Sequence, residues 1–139
     1  MAAELRKTGI DIVGDIPWGT HFCSFYETKE DLLDILVHYF KTGLENSEFC
    51  LWVICPLCSK EETKEALRRV IPDVDQRLAA GDIELVSHTE WFLKGGTFNS
   101  QRVIDSFLGK LSQALARGYA GMRASGDDGL TCPRLLYHT

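Results

Sequence analysis

Two cysteines are spaced as Cys55-Pro56-Leu57-Cys58, the first closing the apolar run EFCLWVIC and the second shortly before KEETKEALRRVI. A cysteine at a helix start has its thiolate stabilised by the helix dipole, so a strand, a C-x-x-C and a helix in that order fit a thiol redox centre. One feature of thioredoxin-like proteins is missing: Pro72 precedes a helical segment, not a later strand opposite the pair. The same two thiols could supply half of a zinc site. His21 and Cys23, two apart on a predicted strand, would share a face and form the second half. The combined spacing matches no familiar finger, and a strand interior suits loop-meeting ligands poorly. The plain alternative is a set of small, buried or half-buried thiols.

Other chemistries find less support. The turn SFYETKEDL holds no glycine to let backbone N–H groups wrap a phosphate, and Glu27 and Glu30 would repel one. Glycines occur in LKGGTFN, but that segment follows a strand exit. Ser24, Ser87, His88 and Glu90 offer hydrolytic groups without a G-x-S-x-G elbow. The aromatics say more. Trp18, Phe22, Phe25, Tyr26, Trp52, Trp91, Phe92 and Phe98 gather around the predicted strands and their exits. Most belong to a core, yet several stand where an apolar pocket for a small organic molecule would open. His21, Cys23, His88 and Arg123 could provide its polar groups.

These side chains need elements to position them. THFCSFY (20–26) alternates and is aromatic, which predicts a strand. Thr28 and Asp31 resemble a helix cap, and Leu32, Leu33, Leu36, Tyr39, Phe40 and Leu44 recur at helical spacing, with Gly43 and Asn46 ending the helix. EFCLWVIC (48–55) has the continuous apolar character of a buried parallel strand. Ser59 and Glu62 cap a second helix, Pro72 interrupts it, and Gly81 closes a third. IELVSHTEWF (83–92) is a strand and its exit. Ser100 caps a long helix with Val103, Ile104, Phe107, Leu108, Leu111 and Leu115 on its core face, ended by Gly118. YAGMRASGD (119–127) is a smaller strand. Alternating strands and helices predict an α/β domain with a mostly parallel sheet covered on both faces. Ligands of such sheets bind beyond the carboxyl ends of the strands. Those ends are Phe25–Glu27, Ile54–Pro56, Ser87–Trp91 and Ser125–Asp127, so Cys55 and Cys58 lie on the expected ligand edge.

A chain of 139 residues with 45% hydrophobic and 25% charged residues supports one core. A net charge of -5 argues against a nucleic-acid surface. MAAELRKTGIDIVGDIP shows no signal peptide, and no apolar run reaches membrane-span length, so a cytoplasmic protein is expected. Five cysteines are then expected mostly as thiols.

Three blocks of the sequence resemble a known family. PWGTHFCSFY, GLENSEFCLWV and GYAGMRASGD look like parts of the MEDS domain, the methanogen/methylotroph sensory domain. The likeness spans residues 10–127. It implies a RecA/KaiC-like three-layer sandwich without a functional P-loop, and a non-enzymatic signal-input role. The implied ligand is a small hydrocarbon derivative or methylated one-carbon compound. The implied output is a PAS/histidine kinase or helix-turn-helix module, with a homodimer compatible, and neither cofactor, metal, membrane nor direct nucleic-acid contact. The matching positions are Trp18, His21, Cys23, Tyr26, Trp52, Gly121, Arg123 and Gly126. With the strand-exit residues His88 and Trp91, the ligand-binding set becomes Trp18, His21, Cys23, Tyr26, Trp52, His88, Trp91 and Arg123. Two readings stand beside it: a redox sensor or thiol oxidoreductase using Cys55 and Cys58, and a degenerate nucleotide-binding domain. The chain departs from the family at 55–58, where a Ser-Glu-Pro-Leu-like turn is usual, and in the tail DGLTCPRLLYHT. The expected organisation is a loosely packed lead-in (1–14), a sensory domain (15–127) and a divergent tail (128–139).

Overall fold

The computed structural model describes residues 4–10, 14–23, 27–93, 96, 99–126 and 135–138, with backbone alone for 20–23 and 135–138. Leu5–Lys7 (β1) and Asp15–Pro17 (β2) form an antiparallel pair. Thr20–Cys23 (β3) opens the main sheet, and Lys29–Glu45 (α1) follows. Phe49–Ile54 (β4) leads to Lys60–Val70 (α2) and Val74–Ala80 (α3). Ile83–Ser87 (β5) leads directly into a short helix, His88–Phe92 (α4). Ser100–Ala116 (α5), Met122–Gly126 (β6) and Leu135–His138 (β7) complete the order.

The main sheet runs β3-β7-β6-β4-β5. β4 pairs in parallel with β5 on one side and β6 on the other. β7 is antiparallel to both β3 and β6 and separates them. The α/β class and the parallel centre agree with the sequence reading. Leu135–His138, within the segment read as a divergent tail, occupies a central place in this sheet.

Alternation along β4 divides the core. Cys50, Trp52 and Ile54 face a cluster built from α1, α2 and α3, including Leu36, Phe40, Leu67 and Val74. Phe49, Leu51 and Val53 face Trp91, Phe92, Val103 and Ala114 of α4 and α5. All six β4 residues are buried, which is why the strand reads as an unbroken apolar run. Helix ends follow the sequence signals closely. Thr28 Oγ1 accepts the Asp31 N–H, Ser59 and Glu62 form a reciprocal capping box, and Gly81 takes a left-handed φ of 80° at the α3 end.

Four expectations change. Gly43 does not end α1, which runs on to Glu45 with Asn46 as its cap. Its lack of a side chain lets α1 approach the sheet: a Cβ there would sit 2.9 Å from both Arg123 Cδ and Cys50 Sγ. Gly43→Ala should therefore lower stability by about 1–3 kcal/mol despite better helix propensity, because the overpacking outweighs it. A urea midpoint at or above wild type would refute this. Second, Asn99, not Ser100, caps α5, its side chain accepting the Arg102 N–H. Third, α5 buries Val103 and half-buries Phe107 and Leu111, whereas Ile104, Leu108 and Leu115 are 51%, 56% and 52% exposed. Periodicity marks the width of an apolar arc, but not how much of it the sheet covers. Fourth, residues 4–10 of the lead-in make ordered contacts. β1 pairs with β2 across the expected boundary, and Thr8 is buried.

Candidate functional site

The most strongly built polar feature is a buried ion-pair cluster. Arg123 on β6 and Glu48 before β4 are both fully buried, with Arg123 Nε donating to Glu48 Oε1 at 2.9 Å. Arg123 Nη2 donates to Glu48 Oε2 at 3.1 Å and to the Lys7 carbonyl at 2.5 Å. Its Nη1 donates to the Thr8 and Tyr39 carbonyls at 3.1 and 2.7 Å. All five guanidinium N–H groups are thus engaged within the chain. The guanidinium also lies 4.6 Å from the Tyr39 ring centroid. Arg6 adds a second cation to Glu48 Oε2 at 3.1 Å.

Trp18 belongs to the same frame. Arg6 lies over its ring at 4.8 Å, and its indole N–H donates to Glu4 Oε2 at 3.3 Å. A Cβ on Gly121 would come within 2.6 Å of that ring, so glycine is what lets Trp18 lie against β6. The three sequence blocks therefore meet: Trp18 from the first touches Gly121 of the third, whose Arg123 pairs with Glu48 of the second.

Trp52 is buried beneath α1 and stacks on Phe40 at 5.1 Å. Its register partner on β6 is Ser125. Ser125 is two residues from Arg123 and so shares the α1 face. Its hydroxyl is buried and bonds to no group among the described residues. On the other face, Trp91 packs edge-on against Phe107 at 4.9 Å, and its indole N–H is likewise buried without a partner. His88, at the start of α4, lies 5.4 Å from Phe92. The strand-exit edge thus carries Trp52, Cys55, His88, Trp91 and Ser125, while Trp18 and Arg123 sit with the N-terminal hairpin. Tyr26 lies outside the described residues. His21 and Cys23 are described by backbone alone, in register with Tyr137 and Leu135. The sequence reading placed Ser125 at a strand end and gave it no role; its buried hydroxyl stands out only in the structure.

Cys55 and Cys58 are both free, with sulfurs 3.6 Å apart. Burial and the neighbouring Cys55 push the Cys58 thiol up to about 12. That is the opposite of the depressed thiolate an activated redox nucleophile requires. Cys50 and Tyr39 are also raised, chiefly by burial. Each such group folds as its neutral form, and the unfolded chain ionises first. The stability they supply is complete below about pH 9, the ordinary thiol value, and is lost as pH rises toward about 12. Urea midpoints should be level from about pH 7 to 8.5 and fall from about 9 upward. A flat profile through about pH 10.5 would contradict this reading.

Two grooves lie at the other, amino edge of the sheet. One of about 450 Å³ is lined by residues including Lys7, Thr8, Asp15, Thr42 and Asn46. The second, about 350 Å³, is lined by Glu48, Arg77, Asp82, Arg117 and Tyr119 among others. There Tyr119 donates to Asp82, and Arg77 pairs with Asp73 and Asp82. Both grooves are polar, and neither is lined by a residue of the ligand-binding set read from the sequence. Among the described residues, no group of three or more His, Cys, Asp or Glu side chains is placed to hold a metal ion.

The family model described as MEDS, the methanogen/methylotroph, DcmR sensory domain, matches residues 20–134. The chain belongs to the MEDS family. The match covers most of the sequence and includes residues 128–134, read above as divergent. No curated protein and no solved structure gives a significant match. MEDS is a sensory-domain family, so the chain has a signal-input role. No described helix is long and apolar enough to cross a membrane.

Proposed function

We propose that this MEDS domain binds a small, mostly apolar molecule at the carboxyl edge of its sheet and passes the change to an output module. The ligand class is a small hydrocarbon derivative or methylated one-carbon compound. The output is a PAS/histidine kinase or helix-turn-helix module, and the domain architecture is the RecA/KaiC-like three-layer type without phosphate binding. Family membership carries the signal-input role. The choice of edge is supported by Ser125 Oγ and the Trp91 indole N–H, buried near the strand exits without partners among the described residues. Native proteins leave few such groups, and those that occur are often met by a bound ligand or water. Trp52, His88 and Trp91 supply the apolar walls and a polar edge. His21, Cys23 and Tyr26, on and just after β3, complete the proposed set. Trp18 and Arg123 act through the frame. Ligand would favour one arrangement of the strand-exit loops and bias the partner by population shift.

A thermal-shift panel of methanol, methylamines, methanethiol, dichloromethane and ATP tests the proposal. A ligand bound only by the folded state raises the midpoint by mass action. The expected result is a dose-dependent rise with a one-carbon compound and none with ATP. A rise with ATP alone would favour the degenerate nucleotide-binding alternative.

A further inference from the structure

Cys55 and Cys58 carry an inference independent of the ligand proposal. Cys55 is buried at the exit of β4, and the chain turns at once through Pro56 and Leu57. The Cys58 N–H donates to the Cys55 carbonyl at 3.1 Å, which closes the turn. The two sulfurs face each other at 3.6 Å, and both are thiols. A disulfide needs about 2.05 Å, so closure requires a further approach of about 1.5 Å. Cys58 is half-exposed and Cys55 is not, so a reagent from solvent meets Cys58 first. Leu57, between them, is 62% exposed and leaves the turn open to approach.

The geometry points to a reversible modification site: Cys55 and Cys58 close to an intramolecular disulfide by exchange with an oxidised low-molecular-weight disulfide. Cys58 loses its proton to solvent and its thiolate attacks one sulfur of the reagent. A Cys58–reagent mixed disulfide forms, and one reagent thiolate leaves and is protonated. Cys55 then loses its proton and attacks the Cys58 sulfur, expelling the second reagent thiolate. Two protein thiols are oxidised and one reagent disulfide is reduced to two thiols. The oxidised turn would clamp the β4 exit to the start of α2, where Ser59 caps the helix. The raised Cys58 thiol sets the rate without blocking the reaction. Only the thiolate attacks, so oxidation should be slow at neutral pH and accelerate about tenfold per pH unit between about 7 and 9.

The test uses the intact, reduced chain equilibrated in glutathione buffers of rising oxidised fraction at about pH 8, then quenched with an alkylating reagent. Digestion with trypsin should release residues 42–60, which contain Cys50, Cys55 and Cys58. The expected result is loss of two hydrogens in that peptide, with the bond between Cys55 and Cys58 and Cys50 still alkylated. Cys55→Ser should instead accumulate the glutathione adduct on Cys58, because the resolving thiol is gone. The inference is overturned if wild type keeps both thiols alkylatable in the most oxidised buffer. It is equally overturned if wild-type Cys58 stops at the glutathione adduct, or if the bond forms with Cys50. The wild-type result decides even where the serine variant folds poorly.

Discussion

Replacing Arg123 with alanine should remove about 3–5 kcal/mol of stability, a large fraction of what a domain of this size has. The loss would come less from the missing attraction than from what stays behind. Glu48 is fully buried and would lose its two-point partner, leaving Arg6, itself 15% exposed, as a weaker cation beside it. Three carbonyls, of Lys7, Thr8 and Tyr39, would lose a charged donor in the same step. Those carbonyls belong to the N-terminal hairpin and α1, so the hairpin should detach before the sheet melts. Arg6→Ala should cost far less, since its partner would still be neutralised by Arg123. Urea unfolding followed by circular dichroism measures both. An Arg123→Ala variant within about 1 kcal/mol of wild type would show that the cluster does not hold the fold.

Ser125→Ala should do the reverse to stability while abolishing the ligand response. A buried hydroxyl without a partner carries a desolvation cost of about 1–3 kcal/mol, and alanine removes it with little loss of volume. The unliganded midpoint should stay level or rise by a few degrees. If the ligand uses this hydroxyl, its stabilisation should disappear in the same variant. Higher basal stability combined with lost response separates a binding group from a packing group. Lower stability with an intact response would mean that the hydroxyl serves the fold.

The sequence exposed most of the fold because its signals are local. Thr28, Ser59 and Gly81 act within one turn of chain, and the apolar run 49–54 needs only burial on both faces to be read. What stayed hidden depends on distant partners. Gly43 looks like a helix stop until Arg123, eighty positions later, is seen against it. Lys7 and Thr8 look like a loose lead-in because their backbone carbonyls, not their side chains, bind Arg123. β7 sits between β3 and β6 by long-range pairing that no local pattern announces. The proposed site rests on the same kind of local signal. The strand exits follow from element order, and Trp52, His88 and Trp91 could be placed there. Arg123 reads as a binding group from its motif alone, and its five engaged donors appear only in the structure. Ser125 escaped notice because an orphaned hydroxyl has no sequence signature.

The central claim is a small-molecule site at the carboxyl edge, and amide and indole chemical-shift mapping of the labelled chain tests it most directly. Titration with the one-carbon panel should move the amides of Cys55, Ser87–Trp91 and Ser125 together with the Trp91 indole resonance, saturably and with one dissociation constant. Shifts confined to the amino-edge grooves around Thr42 or Arg117, or no saturable shift with any member of the panel, would contradict it.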